Sequence, residues 1–211
     1  LKKKPYPGAR VKHRMCENWI KMYDKHGCVL RIETVINHPR QFKVRRMGMR
    51  HGHRAMGWYP MAKGVANFYR YREIALSTNR NYLDALSEVE PLSTNTLYAI
   101  AKPAIRAKRS YRGFNPANQD DLALFTAVIR GEHALMGFRN QDIRRHLFQS
   151  SPTPDQQRRQ ANRVSRLLKR LHTHHLIAKI PRSRRWRITK TGKNVIITAL
   201  SFRTYTLNLA A

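Results

Sequence analysis

Apolar and polar positions alternate with a period of two along NWIKMYDKHGCVLRIETVI, residues 18–36. Ile20 and Met22 interleave with Trp19, Lys21 and Tyr23, and the return segment is rich in β-branched Val29, Ile32, Thr34, Val35 and Ile36. Successive side chains of a strand point to opposite faces, so this pattern predicts a β-hairpin over 18–36. A three-residue loop at Lys25-His26-Gly27 would pair Asp24 with Cys28, Tyr23 with Val29, Lys21 with Arg31 and Trp19 with Glu33. That register gathers Lys21, Tyr23, Arg31 and Glu33 on one face and sends Ile20, Met22, Leu30 and Ile32 to the other. A two- or four-residue loop would mix the faces and set Arg31 beside Ile20 and Met22.

The alternation then stops. Residues 40–60, within RQFKVRRMGMRHGHRAMGWYP, offer no core face and predict a basic loop that orders on a partner. From 63 to 89 the spacing becomes helical, with Val65, Phe68, Arg72, Ala75/Leu76, Asn79, Leu83 and Leu86 three or four apart and Pro91 as the stop. A basic linker is expected over 101–117. Beyond it, Asn118 or Asp120 can cap a helix carrying Leu122, Phe125, Val128 and Ile129, and Asn140 a short one carrying Ile143 and Leu147. Asp155 opens a third helix to about His174, with Ala161, Val164, Leu168 and Leu171 as its buried stripe. Two short strands around a polar turn follow, with Trp186 and Ile188 alternating. Thr191 then caps a last helix holding Val195, Ile196 and Leu200. The fold class expected is α+β: a basic module over 1–100, a linker, a domain over 118–202 and a tail at 203–211. The module comprises an arm at 1–10, the hairpin, the loop and the long helix.

Charge changes the picture most. The 211 residues hold 42 Lys and Arg against 12 Asp and Glu, a formal +30, with 41% hydrophobic residues, enough for compact cores. Such a chain repels itself when compact, and a polyanion supplies the counter-charge. Residues 1–72 carry 18 basic and 3 acidic side chains, 73–100 carry 1 and 4, 119–150 carry 4 and 4, and 151–190 carry 12 and 1. Two basic surfaces therefore flank a nearly neutral middle. Nucleic acid is the expected partner, DNA ahead of RNA, with a homodimer left open. A membrane is not expected, because no apolar run approaches the ~20 residues of a span and no basic amphipathic anchor is visible. Cys16 and Cys28 form no CxxC pair, which points to a reducing, cytoplasmic compartment, nucleoid or ribonucleoprotein-associated.

The order helix, helix, long helix, basic hairpin, helix resembles the winged-helix domains of MarR-type regulators. The likeness covers roughly the last 85 residues and is carried by HHLIAKI at 174–180 and RWRITKTGK at 185–193. It implies that the third helix reads DNA. That helix offers Arg158, Arg159, Asn162, Arg163, Arg166, Lys169 and Arg170 on the face away from its apolar stripe. Arg takes guanine bidentately, Asn takes adenine, and the wing adds Arg182, Arg184 and Arg185. In the first module the expected nucleic-acid contacts are Lys12, Lys21, Lys25, Arg31, Arg45, Arg46, Arg50 and Arg54. The alternatives are an RNA-binding component of a ribonucleoprotein and a nicking enzyme.

The segment IKMYDKHGCVLRIE resembles plasmid and filamentous-phage replication initiators, which nick DNA by tyrosine attack on a phosphate. The likeness implies Tyr23 as nucleophile, Lys25 or Arg31 as phosphate stabiliser and Glu33 as metal ligand. The histidine pair of those enzymes has only His51-Gly52-His53 as counterpart, placed after the tyrosine rather than before it. No cofactor and no metal site are otherwise expected, and Mg²⁺ or Mn²⁺ enters only with the nicking reaction.

Overall fold

A computed structural model describes residues 10–25, 28–50, 52–87, 94–148 and 153–208, excepting the side chains of 50, 85, 87, 94–96 and 203–208. Of the expected arm, Arg10 alone is described; His26, Gly27, His51 and the side chain of Arg50 lie outside. The chain is mixed α and β with small antiparallel sheets, and it divides into two compact units. The first runs to Asp84 and includes Ala134–Met136. The second comprises Ala85–His133 and the residues from Gly137 onward.

In the first unit β1 (Arg10–Met15), β2 (Asn18–Lys25) and β3 (Val29–Ile36) form an antiparallel sheet in that order. Lys25 pairs with Val29, so the connection is 26–28, one residue later than the loop expected at 25–27. Tyr23 therefore faces Arg31, and Lys21 faces Glu33. Both loops contain three residues, so the parity of the strands is unchanged. The predicted partners were wrong and the predicted faces were right. Ile20 and Met15 are buried and Met22 and Ile32 half-buried on one side, while Leu30, near the hairpin end, is 58% exposed.

The expected loop at 40–60 is instead a two-stranded ribbon, β4 (Lys43–Arg50) and β5 (His53–Pro60). Its glycines hid the pattern. Tyr59 lies across Gly48 and Gly57, donating to the Gly48 and Ala55 carbonyls at 2.9 and 3.1 Å, and a Cβ at Gly48 would collide with its ring. The aromatic ring replaces the side chains the glycines lack. Helix α1 (Phe68–Ser87) follows a short 3-10 turn at Val65–Asn67. Its buried line is Ile74, Thr78 and Tyr82, whereas Val65, Phe68, Leu76, Leu83 and Leu86 are exposed. The expected stripe was therefore misplaced, because polar side chains dock the helix. Asn79 Oδ1 accepts from Thr34 Oγ1 at 2.8 Å, Thr78 Oγ1 donates to the Leu135 carbonyl at 3.3 Å, and Tyr82 pairs with His13 Nε2 at 2.9 Å.

The second unit begins before residue 100. Helix α2 (Thr94–Ala101) places Ile100 in its core, and the supposed linker at 101–117 contains a small hairpin, β6 (Ala104–Arg106) and β7 (Arg109–Tyr111). Three helices follow: α3 (Gln119–Val128), capped by Asn118, α4 (Asn140–Leu147) and α5 (Pro154–Thr173). Asn140 does not cap α4. The Arg139 amide donates to Asp142 at 2.7 Å, while Asn140 Nδ2 reaches the Ala161 carbonyl and Ser165 Oγ and ties α4 to α5. Thr153 caps α5 with Pro154 in its first turn, the position where a missing N–H costs nothing. Helix α5 ends in a Schellman turn, with His175 at φ +59 and the Leu176 amide donating to the Leu171 carbonyl.

Strands β8 (Ile177–Lys179) and β9 (Trp186–Ile188) then pair, and an isolated bridge joins Phe138 to Trp186. Helix α6 (Lys190–Asn208) is capped by Thr189, not Thr191: the Gly192 amide donates to Thr189 Oγ1 at 2.8 Å. Gly192 passes so close to the Leu176 carbonyl that any Cβ there would overlap it. Phe114, Leu124, Phe125, Phe138, Ile143, Val164, Leu168, Leu171, Leu176 and Ile196 fill the core. Each fully buried side chain of this size contributes roughly 1.5–3 kcal/mol relative to exposure.

Candidate nucleic-acid interface

The sheet of the first unit presents one strongly basic face. Register places Arg10, Lys12 and Arg14 of β1 on the side that carries Trp19, Lys21 and Tyr23 of β2 and Arg31 and Glu33 of β3. Sequence reasoning missed β1. Its signal was present, since Val11, His13 and Met15 alternate with those three basic residues, but the stretch was too short to stand out beside a basic arm. Lys12 sits directly opposite Lys21, an arrangement of like charges that destabilises a sheet. The Trp19 ring relieves part of this, with Lys12 Nζ 4.4 Å and Lys21 Nζ 5.8 Å from its centroid. Glu33 is the single acid on this face. Its Oε1 accepts from Arg31 Nε at 2.8 Å and from the Tyr23 hydroxyl at 2.9 Å.

The ribbon divides the other expected contacts. Arg45, Met47 and Met49 share a face with Arg54, Met56 and Trp58, whereas Arg46 lies on the opposite face, 5.1 Å from the Tyr59 ring. Met47, Met49, Met56 and Trp58 are all substantially exposed. A two-stranded basic ribbon with exposed methionines and a tryptophan can enter a major groove or lie against unpaired bases.

In the second unit, α5 turns Arg158, Arg159, Asn162, Arg163, Arg166 and Lys169 to solvent. Arg163 reaches Asp120 at 3.1 Å and lies over the Phe148 ring. Two expected contacts are not at the surface. Arg170 is 5% exposed, holds Asp121 through two bonds of 2.6 and 2.9 Å, donates to the Arg112 and Gly113 carbonyls and stacks 3.7 Å from the Phe114 centroid. It sits at the end of α5 where the helix turns into the core, and there a buried Asp, not a solvent partner, meets it. Arg185 is 4% exposed and donates to the Gly137 carbonyl at 3.3 Å. Arg182 and Arg184, between β8 and β9, are exposed.

Sequence reasoning also missed basic groups in this unit. Lys108 and Arg109 are exposed in the β6–β7 hairpin, and Lys179 and Arg187 in the β8–β9 pair. Arg106 Nη1 lies 2.6 Å from His172 Nδ1. His172 is pushed below the ordinary histidine value by burial and then by the Arg106 charge. His174 is also lowered, first by burial, although its hydrogen bond to the Arg112 carbonyl opposes the shift.

Among the described residues, the chemistry required for nicking is only partly assembled. Tyr23, Arg31 and Glu33 are together, but the one trio of His, Cys, Asp and Glu side chains close enough to share a cation, among the described residues, is Glu132, His133 and His146. Among the described residues, no helix is long and apolar enough to cross a membrane. No family model, curated protein or solved structure matches the chain.

Proposed function

We propose that this chain binds nucleic acid, duplex DNA first, as a regulator or a mobile-element or replication protein. In this reading the second unit is a winged helix: α5 enters the major groove and the β8–β9 connection is the wing. One observation carries it. The outward face of α5 holds five cationic side chains and Asn162 against one acid of its own, Asp155 in the first turn, and Asp120 is the cations' single acidic ion-pair partner among the described residues. A face that is merely solvated mixes both signs. The order α3, α4, α5, β8, β9, α6 supports the winged-helix reading, as does the Phe138–Trp186 bridge, which adds a third pairing beside the two short strands.

Arg and Lys on α5 and on the sheet face neutralise phosphates and release counterions, which supplies affinity, while Arg and Asn on α5 reach base edges and supply preference. Structured RNA is the second reading. The face on which Lys12 and Lys21 flank Trp19 favours it, because aromatic rings between cations also stack unpaired bases.

The test is equilibrium binding of the full chain to duplex DNA, with structured RNA as competitor, across a salt series. With six phosphate contacts, affinity for duplex DNA falls roughly a thousandfold between ~50 and ~200 mM salt. Preference for the RNA by tenfold or more moves the protein to a ribonucleoprotein. A flat salt response overturns both readings.

A further inference from the structure

We propose that Glu132, His133 and His146 form a binding site for a divalent transition metal of the zinc type in the second unit. Glu132 and His133 lie on the 3-10 turn Gly131–Ala134, and His146 lies in the last turn of α4. One donor atom from each falls within 4.8 Å of the others. His133 is 6% exposed, and its Nδ1 donates to the Val128 carbonyl at 2.9 Å. That bond leaves Nε2 with its lone pair in the neutral tautomer, and Nε2 is buried with no hydrogen-bond partner among the described residues.

Buried polar atoms are almost always satisfied, so an orphaned imidazole nitrogen beside a second histidine and a carboxylate requires an explanation. A metal ion supplies one. Imidazole ligands commonly donate their other N–H to a backbone carbonyl, which orients the ring and fixes the tautomer, as Val128 does here. Two His and one Glu suit zinc better than magnesium or calcium, which prefer oxygen, and they leave a fourth position open.

The other two side chains are placed to move onto the ion. His146 Nε2 donates to Glu132 Oε1 at 3.1 Å, and that bond would be exchanged for two bonds to the metal. Glu132 Oε1 also accepts from Arg130 Nε at 3.0 Å, which anchors the carboxylate beside the histidines. His146 is exposed, so it gives the ion an entry path and can close the remaining distance by rotating.

The test uses the full chain, freed of metal and titrated with Zn²⁺ by calorimetry and with Co²⁺ by visible absorption. One equivalent of Zn²⁺ should bind, and Co²⁺ should give the intense ligand-field bands of low coordination. Glu132→Gln and His146→Ala, neither in the apolar core, should each weaken binding at least tenfold. A His51→Ala/His53→Ala control should bind as the parent does. Unchanged affinity in both Glu132→Gln and His146→Ala overturns the proposal, as does loss of binding in the control. Neither readout depends on nucleic acid, so the site can fail while the interface on α5 stands.

Discussion

At the scale of single residues, the sequence separates charge type well and charge purpose poorly. Arg170 and Lys169 are neighbours in a run of cations, yet Lys169 faces water and Arg170 is enclosed by Asp121, Phe114 and two carbonyls. Two charges taken out of water offset their desolvation only when their donors find acceptors, and Arg170 bonds four of its five N–H groups, through Nε, Nη1 and Nη2. Arg170→Ala leaves the buried Asp121 with only the largely exposed Arg112, 3.7 Å away, as counter-ion and should lower stability by about 3–5 kcal/mol, read from chemical denaturation. Arg166→Ala, on the same helix but in solvent, should change stability by less than ~0.5 kcal/mol. Equal effects from the two substitutions would refute the assignment of Arg170 to the core. Periodicity pointed the other way, since at 3.6 residues per turn Arg170 lies roughly 200° round the helix from Leu168 and roughly 100° from Leu171. The partner was not legible, because Asp121 is 49 positions away.

At the scale of elements, alternation and capping chemistry locate strands and helices well when side chains carry the pattern. The hairpin at 18–36 and the helices of the C-terminal half follow from residue type and spacing. The ribbon at 43–60 does not, because Gly48 and Gly57 leave its faces blank until Tyr59 folds over them. Turns show a related limit. The β1–β2 connection is Cys16-Glu17, both left-handed at φ +48 and +63, where asparagine and glycine are the usual occupants. Each non-glycine residue held there costs roughly 1 kcal/mol. The double substitution Cys16→Asn/Glu17→Gly should therefore raise stability by about 1 kcal/mol, measured as a shift in the denaturation midpoint at constant slope. A loss of stability would mean that β1 is held by something other than this turn.

At the scale of the whole molecule, charge is the property that acts over distance. Each phosphate neutralised contributes about 0.9 to the slope of log affinity against log salt. Replacing Lys12, Lys21 and Arg31 by Gln should lower that slope by about 2.7 if the sheet face of the first unit contacts the backbone. Replacing Arg158, Arg159 and Arg166 by Gln should lower it by a similar amount if α5 does. Slopes that match the parent in both sets would remove these surfaces from the interface. By itself the sequence determined the net +30, the alternation of the first hairpin and the sorting of Lys21, Tyr23, Arg31 and Glu33 onto one face. Those properties are local, set by residue type and by the parity of a short loop. Tertiary structure decided which cations are solvated, where the first unit ends and the second begins, and that Glu132, His133 and His146 meet. Each of these depends on contacts between segments far apart in the chain, and no window of sequence contains both partners.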